Sequence, residues 1–180
     1  SIIIEAQGLV EAAKEISLRP QVSGEVVNID EKLIPGGQFR TGDVLLKIED
    51  QDYIYAVDQA KSALTQAQAS LALELGNQEV AQREYEVLGE ELSAEDKTLV
   101  FREPQLASAK AQVAASKSRL DQAQLDLKRT SLVAPFDALI TGKNVDRGSL
   151  LTSQTDIIQM IGTETYWLEL SIPQTDLQWL

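Results

Sequence analysis

Tyr53 to Leu92 reads YIYAVDQAKSALTQAQASLALELGNQEVAQREYEVLGEEL, and Leu99 to Leu127 reads LVFREPQLASAKAQVAASKSRLDQAQLDL. In the first stretch Val57, Leu64, Leu71, Gln78, Tyr85 and Leu92 form a row with a period of seven, and Ala60, Ala67, Glu74, Ala81 and Leu88 follow three residues on. In the second, Leu99, Leu106, Val113, Leu120 and Leu127 keep the same period beside Ala109, Ser116 and Ala123. Sustained rows of this kind predict coiled-coil helices, because every seventh residue returns to the same side. Two series separated by a break predict two helices. Small residues at the intermediate positions let the axes approach, which suits an antiparallel hairpin.

The turn of that hairpin is placed by balance and by local chemistry. Arms of similar length put it around Gly89 to Ser93. Gly89 can end a helix, and Ser93 followed three residues later by Asp96 offers a capped start for the next. Each arm then spans roughly 55 to 60 Å at 1.5 Å per residue. Pro104 inside the second arm favours a kink at Arg102-Glu103; the alternative is that the regular helix starts at Pro104 and residues 93–103 form a separate piece.

Composition changes abruptly at both ends of this Ala/Gln/Glu/Leu/Lys segment. Ser1 to Asp52 and Thr130 onward are Val/Ile/Leu text broken by turn residues. The two flanks repeat one pattern. Val22-Ser23-Gly24-Glu25-Val26, Pro35-Gly36-Gly37 and Gly42-Asp43-Val44-Leu45-Leu46 correspond to Phe136-Asp137-Ala138-Leu139-Ile140, Arg147-Gly148 and Thr155-Asp156-Ile157-Ile158. Neither half can bury a core alone, so they are expected to pack together as a two-fold-like sandwich that the helices interrupt at its midpoint. Outside this pair, Ile2 to Ala13 and Thr165 to Ile172 are strand candidates, the latter alternating as a half-buried strand does. They are expected to form a third unit built from both chain ends. Pro173 to Leu177 reads as a helix start, and the sequence stops soon after, which suggests a fragment.

Composition narrows the chemistry. The 180 residues carry 16 Lys+Arg against 28 Asp+Glu, a net charge of −12, with no Cys and no His. That removes thiolate nucleophiles, Ser-His-Asp relays and His/Cys metal sites. Nucleic acid is excluded as a partner because its affinity comes from Lys/Arg neutralising phosphates. No stretch approaches the roughly 20 apolar residues of a membrane span. Any export or anchoring segment is therefore expected outside this chain. Carboxylate chemistry at Glu49, Asp50 and Asp52, or at Glu90 and Glu91, is disfavoured because adjacent acids in a polar stretch are ordinarily solvated. No catalytic, cofactor-binding or metal-ligating residue is assigned, and no cofactor is expected.

Leu18-Arg19-Pro20-Gln21-Val22-Ser23-Gly24, the Gly-Gly/Gly-Asp turn segment, the Ala/Gln-rich hairpin, Leu132-Val133-Ala134-Pro135-Phe136-Asp137 and Trp167-Leu168-Glu169-Leu170 together resemble the periplasmic adaptors, or membrane fusion proteins, of tripartite efflux pumps, most of all those of resistance–nodulation–division transporters. The resemblance spans nearly the whole chain and keeps segment order. It implies an elongated α+β fold: a lipoyl/biotinyl-like β-sandwich split by a long antiparallel α-helical coiled-coil hairpin, plus part of a β-barrel domain. The corresponding divisions are 1–14 for the first barrel strand, 15–52 and 130–162 for the halves of the lipoyl-like domain, 53–129 for the hairpin, and 163–180 for the return to the barrel. Ala138 departs from the family, which usually has Gly after Phe-Asp.

The implied role is a non-enzymatic bridge between an inner-membrane transporter and an outer-membrane channel. The protein is then periplasmic, attached to the inner membrane through a segment absent from this chain, and self-associated into a ring of three or six. The alternative is an adaptor of an ATP-driven exporter or of type I secretion of the hemolysin-secretion type. Family members that dock a channel carry Arg, Leu and Ser about the hairpin tip; Arg83, Leu88 and Ser93 resemble that set with altered spacing, so Arg83, Leu88, Gly89, Glu90, Glu91, Leu92 and Ser93 are the expected docking tip. Val57, Leu64, Leu71, Tyr85, Leu106, Val113, Leu120 and Leu127 are the expected coiled-coil seam. A lipoyl carrier is disfavoured, because the lysine-bearing turn is replaced by the helical insertion and Lys47 lies within a strand.

Overall fold

A computed structural model describes residues 7–88 and 93–171. The chain divides into two units: one runs to Glu49 and resumes at Arg129, and the other is Asp50–Lys128.

The first unit is built from short strands. Its first half holds β2 (Glu15–Leu18), β3 (Gly24–Ile29), β4 (Gln38–Phe39) and β5 (Val44–Ile48), and its second half holds β6 (Ser131–Val133), β7 (Ala138–Lys143), β8 (Leu150–Leu151) and β9 (Ile158–Gly162). They form two four-stranded antiparallel sheets, in the orders β2-β9-β7-β4 and β6-β5-β3-β8. Each sheet thus takes two strands from each half. Neither half can close a sheet by itself, and the two halves exchange equivalent strands around a pseudo-two-fold axis.

The backbone repeats that symmetry bond for bond. Gly36 N–H donates to the Ile140 carbonyl at 2.8 Å, as Gly148 N–H does to the Val26 carbonyl at 2.8 Å. In return Ile140 N–H donates to Gly37 at 2.9 Å and Val26 N–H to Ser149 at 3.0 Å. The two turns need glycine for one reason, since Gly36 and Gly148 have φ of 89° and 88°, where a side chain is strained. Val26, Leu33, Leu46, Ile48, Ile140, Val145, Ile157, Ile158 and Met160 are buried between the sheets. At about 1.5–3 kcal/mol for each large aliphatic side chain, this burial drives closure. Ala138, where the family usually has Gly, keeps its place in the β7–β9 ladder. It is buried in β7, paired with Gly162 of β9 and Phe39 of β4.

β1 (Gln7–Ala12) and β10 (Tyr166–Ser171) pair with each other as a two-stranded antiparallel ribbon, from Gln7 opposite Ser171 to Ala12 opposite Tyr166. The expected half-burial of the last strand is corrected here: all six residues of β10 are exposed, Trp167 at 68 %. Nothing among the described residues stacks on either face of the ribbon. The expected helix start at Pro173 and the strand residues before Gln7 lie outside the described residues.

The second unit holds α1 (Gln51–Leu88), α2 (Ala94–Val100) and α3 (Glu103–Arg129, whose last residue belongs to the first unit). The favoured kink at Arg102-Glu103 is corrected: the arm is two helices, and the alternative reading is the one realised. Proline is at home in the first turn of a helix, where its missing N–H has no partner to lose, and Pro104 is the second residue of α3. Ahead of it Arg102 turns left-handed with φ 55° and ends α2, its N–H donating to the Leu99 carbonyl at 3.0 Å.

Candidate partner-docking arm

The arm begins with α1, 38 residues and about 57 Å long. Along it Val57, Ala60, Leu64, Ala67, Leu71, Glu74, Gln78, Ala81 and Tyr85 are half-buried or buried while the residues between are exposed. On α3 Leu106, Ala109, Val113, Ser116, Leu120, Ala123 and Leu127 are likewise half-buried or buried, with Ser116 fully buried. The eight seam positions proposed from the sequence all lie on these stripes. A stripe of alanine and serine between larger residues lets two helices lie close along one line.

Where α2 meets α3, the second arm is fastened to α1. Arg102 Nε and Nη2 donate to Glu74 Oε1 and Oε2 at 2.7 and 2.9 Å, a two-pronged ion pair. Hydrogen bonding to Arg102 holds the Glu74 carboxyl below its ordinary value against the opposing effect of burial, and the same bond raises Arg102. One turn on, Gln78 Nε2 donates to the Phe101 carbonyl at 3.0 Å. Tyr85 meets the Phe101 ring edge-on, centroids 5.2 Å apart, and Lys97 Nζ lies 5.9 Å from the Tyr85 centroid. Sequence reasoning missed this joint. Glu74 and Arg102 are 28 residues apart, and only Pro104 marks the spot.

Towards the turn, Ser93 caps α2: its Oγ accepts from Asp96 N–H at 3.2 Å and donates to the Asp96 carboxylate at 2.6 Å. Arg83 is exposed on α1 and paired with Glu79 one turn earlier. Leu88 closes α1. Gly89, Glu90, Glu91 and Leu92 lie outside the described residues, so the expected tip set is placed only at its two edges. Glu84 and Glu86 are exposed on α1, and Glu74 is engaged by Arg102 of the second arm.

In the β unit two sets of polar contacts join the halves. Asp137 accepts from Thr41 N–H at 2.7 Å and Thr41 Oγ1 at 2.9 Å, bonds that lower its pKa, in an open cleft with Lys32, Arg40 and Asp43. Arg19 and Asp156 form an exposed ion pair across the halves, which lowers the Asp156 pKa and raises that of Arg19. Lys47 is exposed in mid-strand on β5, opposite Ser131. Among the described residues no group of three or more acidic side chains is arranged to hold a metal ion, and no helix is long and apolar enough to cross a membrane.

No protein-family model matches the chain. Multidrug resistance protein MdtA of Cronobacter turicensis is 26 % identical over 172 residues, 94 % of this chain and 40 % of that relative. The chain therefore spans about two fifths of the length of the curated relative it matches. Among solved structures, a MacA-MexA chimeric protein containing the Pseudomonas aeruginosa MexA alpha-hairpin domain superposes with a TM-score of 0.64 at 23 % identity, over 98 % of this chain and 59 % of that one. The membrane fusion protein Spr0693 of Streptococcus pneumoniae R6 gives 0.63 at 18 % identity, over 99 % of this chain and 72 % of that one. By architecture the resemblance read from the sequence holds: the chain has the fold of these membrane fusion proteins.

Proposed function

We propose that the chain is part of a periplasmic adaptor that bridges an inner-membrane transporter of the resistance–nodulation–division type and an outer-membrane channel, without covalent chemistry. The observation that carries this is the closure of the β unit. Ile48 N–H donates to the Thr130 carbonyl at 2.8 Å, across the point where the chain departs into the helices and comes back. The pairing of β5 with β6 thus runs on to the two points where the helical segment leaves and returns. A 38-residue helix and its return arm are then available for contacts with other proteins. The relatives, named for multidrug resistance, support export as the process served.

In this reading residues 15–52 and 130–162 form the lipoyl-like domain, 53–129 the hairpin, and 1–14 and 163–180 parts of a β-barrel domain. The tip from Arg83 to Ser93 docks the channel, and its acidic character selects a neutral or basic surface there, since like charges in contact cost affinity. Copies assemble into a ring of three or six, anchored at the inner membrane by a further segment. The test is recovery of the assembled pump on the full-length protein from its own cell envelope. Transporter and channel are expected to copurify, and Glu90→Lys with Glu91→Lys is expected to lose the channel while keeping the transporter. Undiminished recovery of the channel by that variant at low salt counts against the tip assignment, and recovery of neither partner by the natural protein counts against the bridge.

A further inference from the structure

The ribbon of β1 and β10 has two unlike faces. Residues directly opposite each other in an antiparallel pair share a face, and successive residues along a strand alternate. Gly8 with Leu170, Val10 with Leu168 and Ala12 with Tyr166 therefore make one face, and Leu9 with Glu169 and Glu11 with Trp167 make the other. The first is apolar throughout. Leu168 and Leu170 close over Gly8, where a Cβ would come within 3.1 Å of both side chains. The second carries two carboxylates, which are costly to bury away from water. An element that packs on the ribbon is directed to the first face, and the second stays in solvent.

Trp167 stands on the charged face and is 68 % exposed. Glu11 lies directly across from it on β1, and Glu169 is two residues along β10, roughly 7 Å away on the same side. These three side chains, with Leu168 between the last two in the chain, line an open cleft of about 330 Å³. Among the described residues no cation pairs with either carboxylate. Lys14, three residues from Glu11, turns to Phe136 and Glu164 instead.

We propose that Glu11, Trp167 and Glu169 form a binding site for a small organic cation with an apolar body. Charge specifies the cation. The face of an indole attracts a positive charge more strongly than any other aromatic side chain does, and two unpaired carboxylates flank it. Leu9, opposite Glu169 and 60 % exposed, supplies contact for the apolar part. Size specifies a small molecule. Leu9 and Trp167 are the apolar residues of this face, whereas a stable protein interface takes roughly 800 Å² from each partner; the cleft lies near the lower end of the range for small-molecule sites. The net charge of −12 raises the local concentration of cations further. The inference goes beyond the bridging role and does not rest on it, since it concerns the ribbon and not the helices.

The test observes Trp167 itself. The full-length protein is labelled with 5-fluorotryptophan, the fluorine resonance of Trp167 is identified by its absence from Trp167→Phe, and tetraphenylphosphonium is titrated in, with tetraphenylborate as an anion of the same shape. The Trp167 line is expected to shift saturably with the cation and to stay with the anion. Glu11→Gln with Glu169→Gln is expected to raise the dissociation constant severalfold, and the line of that variant without ligand, at its natural position, shows that the ribbon has formed. The comparison of cation with anion on the natural protein needs no variant. Absence of a shift, equal shifts with both ions, or an unchanged dissociation constant in the double variant overturns the proposal. An arginine-rich peptide that moves the line at lower concentration than tetraphenylphosphonium overturns it too and assigns the face to a protein. None of these outcomes alters the bridge, which is read from copurification.

Discussion

Arg102 reaches across from the joint of the second arm and grips Glu74 on α1 with both prongs of its guanidinium, while its own backbone sits at φ 55°. The residue that ends α2 is therefore also the one that ties the arm to its neighbour. These two tasks pull in opposite directions at this position, because a left-handed backbone prefers glycine and the ion pair requires arginine.

Replacing Arg102 separates them. Both Arg102→Ala and Arg102→Gly lose the pair, but only Gly relaxes the backbone. The glycine variant is expected to melt a few degrees higher than the alanine variant, the reverse of their order inside a helix. Thermal unfolding followed at 222 nm checks this. Equal or inverted melting temperatures contradict the strained joint.

The same pair sets an acid limit on the arm. Glu74 is depressed below its ordinary value of 4.5 by Arg102. A folded-state pKa below the unfolded one gives stability that is complete above about pH 4.5 and is lost as pH falls through the folded pKa. The stability difference between the natural protein and Glu74→Gln is expected to be largest at neutral pH and to shrink below pH 4.5, as read from urea unfolding across pH 2.5 to 7. A difference that stays constant over that range contradicts the assignment.

Ser93→Ala removes the cap of α2. The expected cost is about 1 kcal/mol, confined to the turn end of the arm. Hydrogen exchange reads it: the amides of Asp96 and Lys97 exchange faster, while those near Val113 do not change.

Gly36 and Gly148 occupy two-fold-related turns with φ of 89° and 88°, so Gly36→Ala and Gly148→Ala are expected to destabilise the β unit equally, by about 1–2 kcal/mol each. Steric room does not distinguish them, since a Cβ at Gly36 meets nothing and one at Gly148 comes no closer than 3.9 Å to the Glu25 carboxylate. Chemical denaturation measures both. Markedly unequal losses contradict the symmetry.

How much of this was legible in the chain depended on how local the signal was. The helix rows were readable because the period of seven runs unbroken from Val57 to Tyr85 and from Leu106 to Leu127. The internal repeat was readable because Gly and Asp punctuate both halves alike. The strand exchange was not, because pairing β2 with β9 joins residues Leu18 and Ile158 that no local pattern links. Pro104 supported two readings, and the choice rested on the left-handed turn at Arg102, which its residue type does not advertise.

The central claim is that the helices serve contacts with other proteins and are not needed to complete the β body. Lys47 lies opposite Ser131 in adjacent strands, so an Asn-Gly turn can replace residues 50–128 and join Glu49 to Arg129. For the proposed export role, the decisive measurement is export by cells whose full-length protein carries that replacement, with amide protection of Val26 and Ile140 as proof that the sandwich has formed. The account predicts a folded β body and abolished export. Export retained without the helices contradicts it.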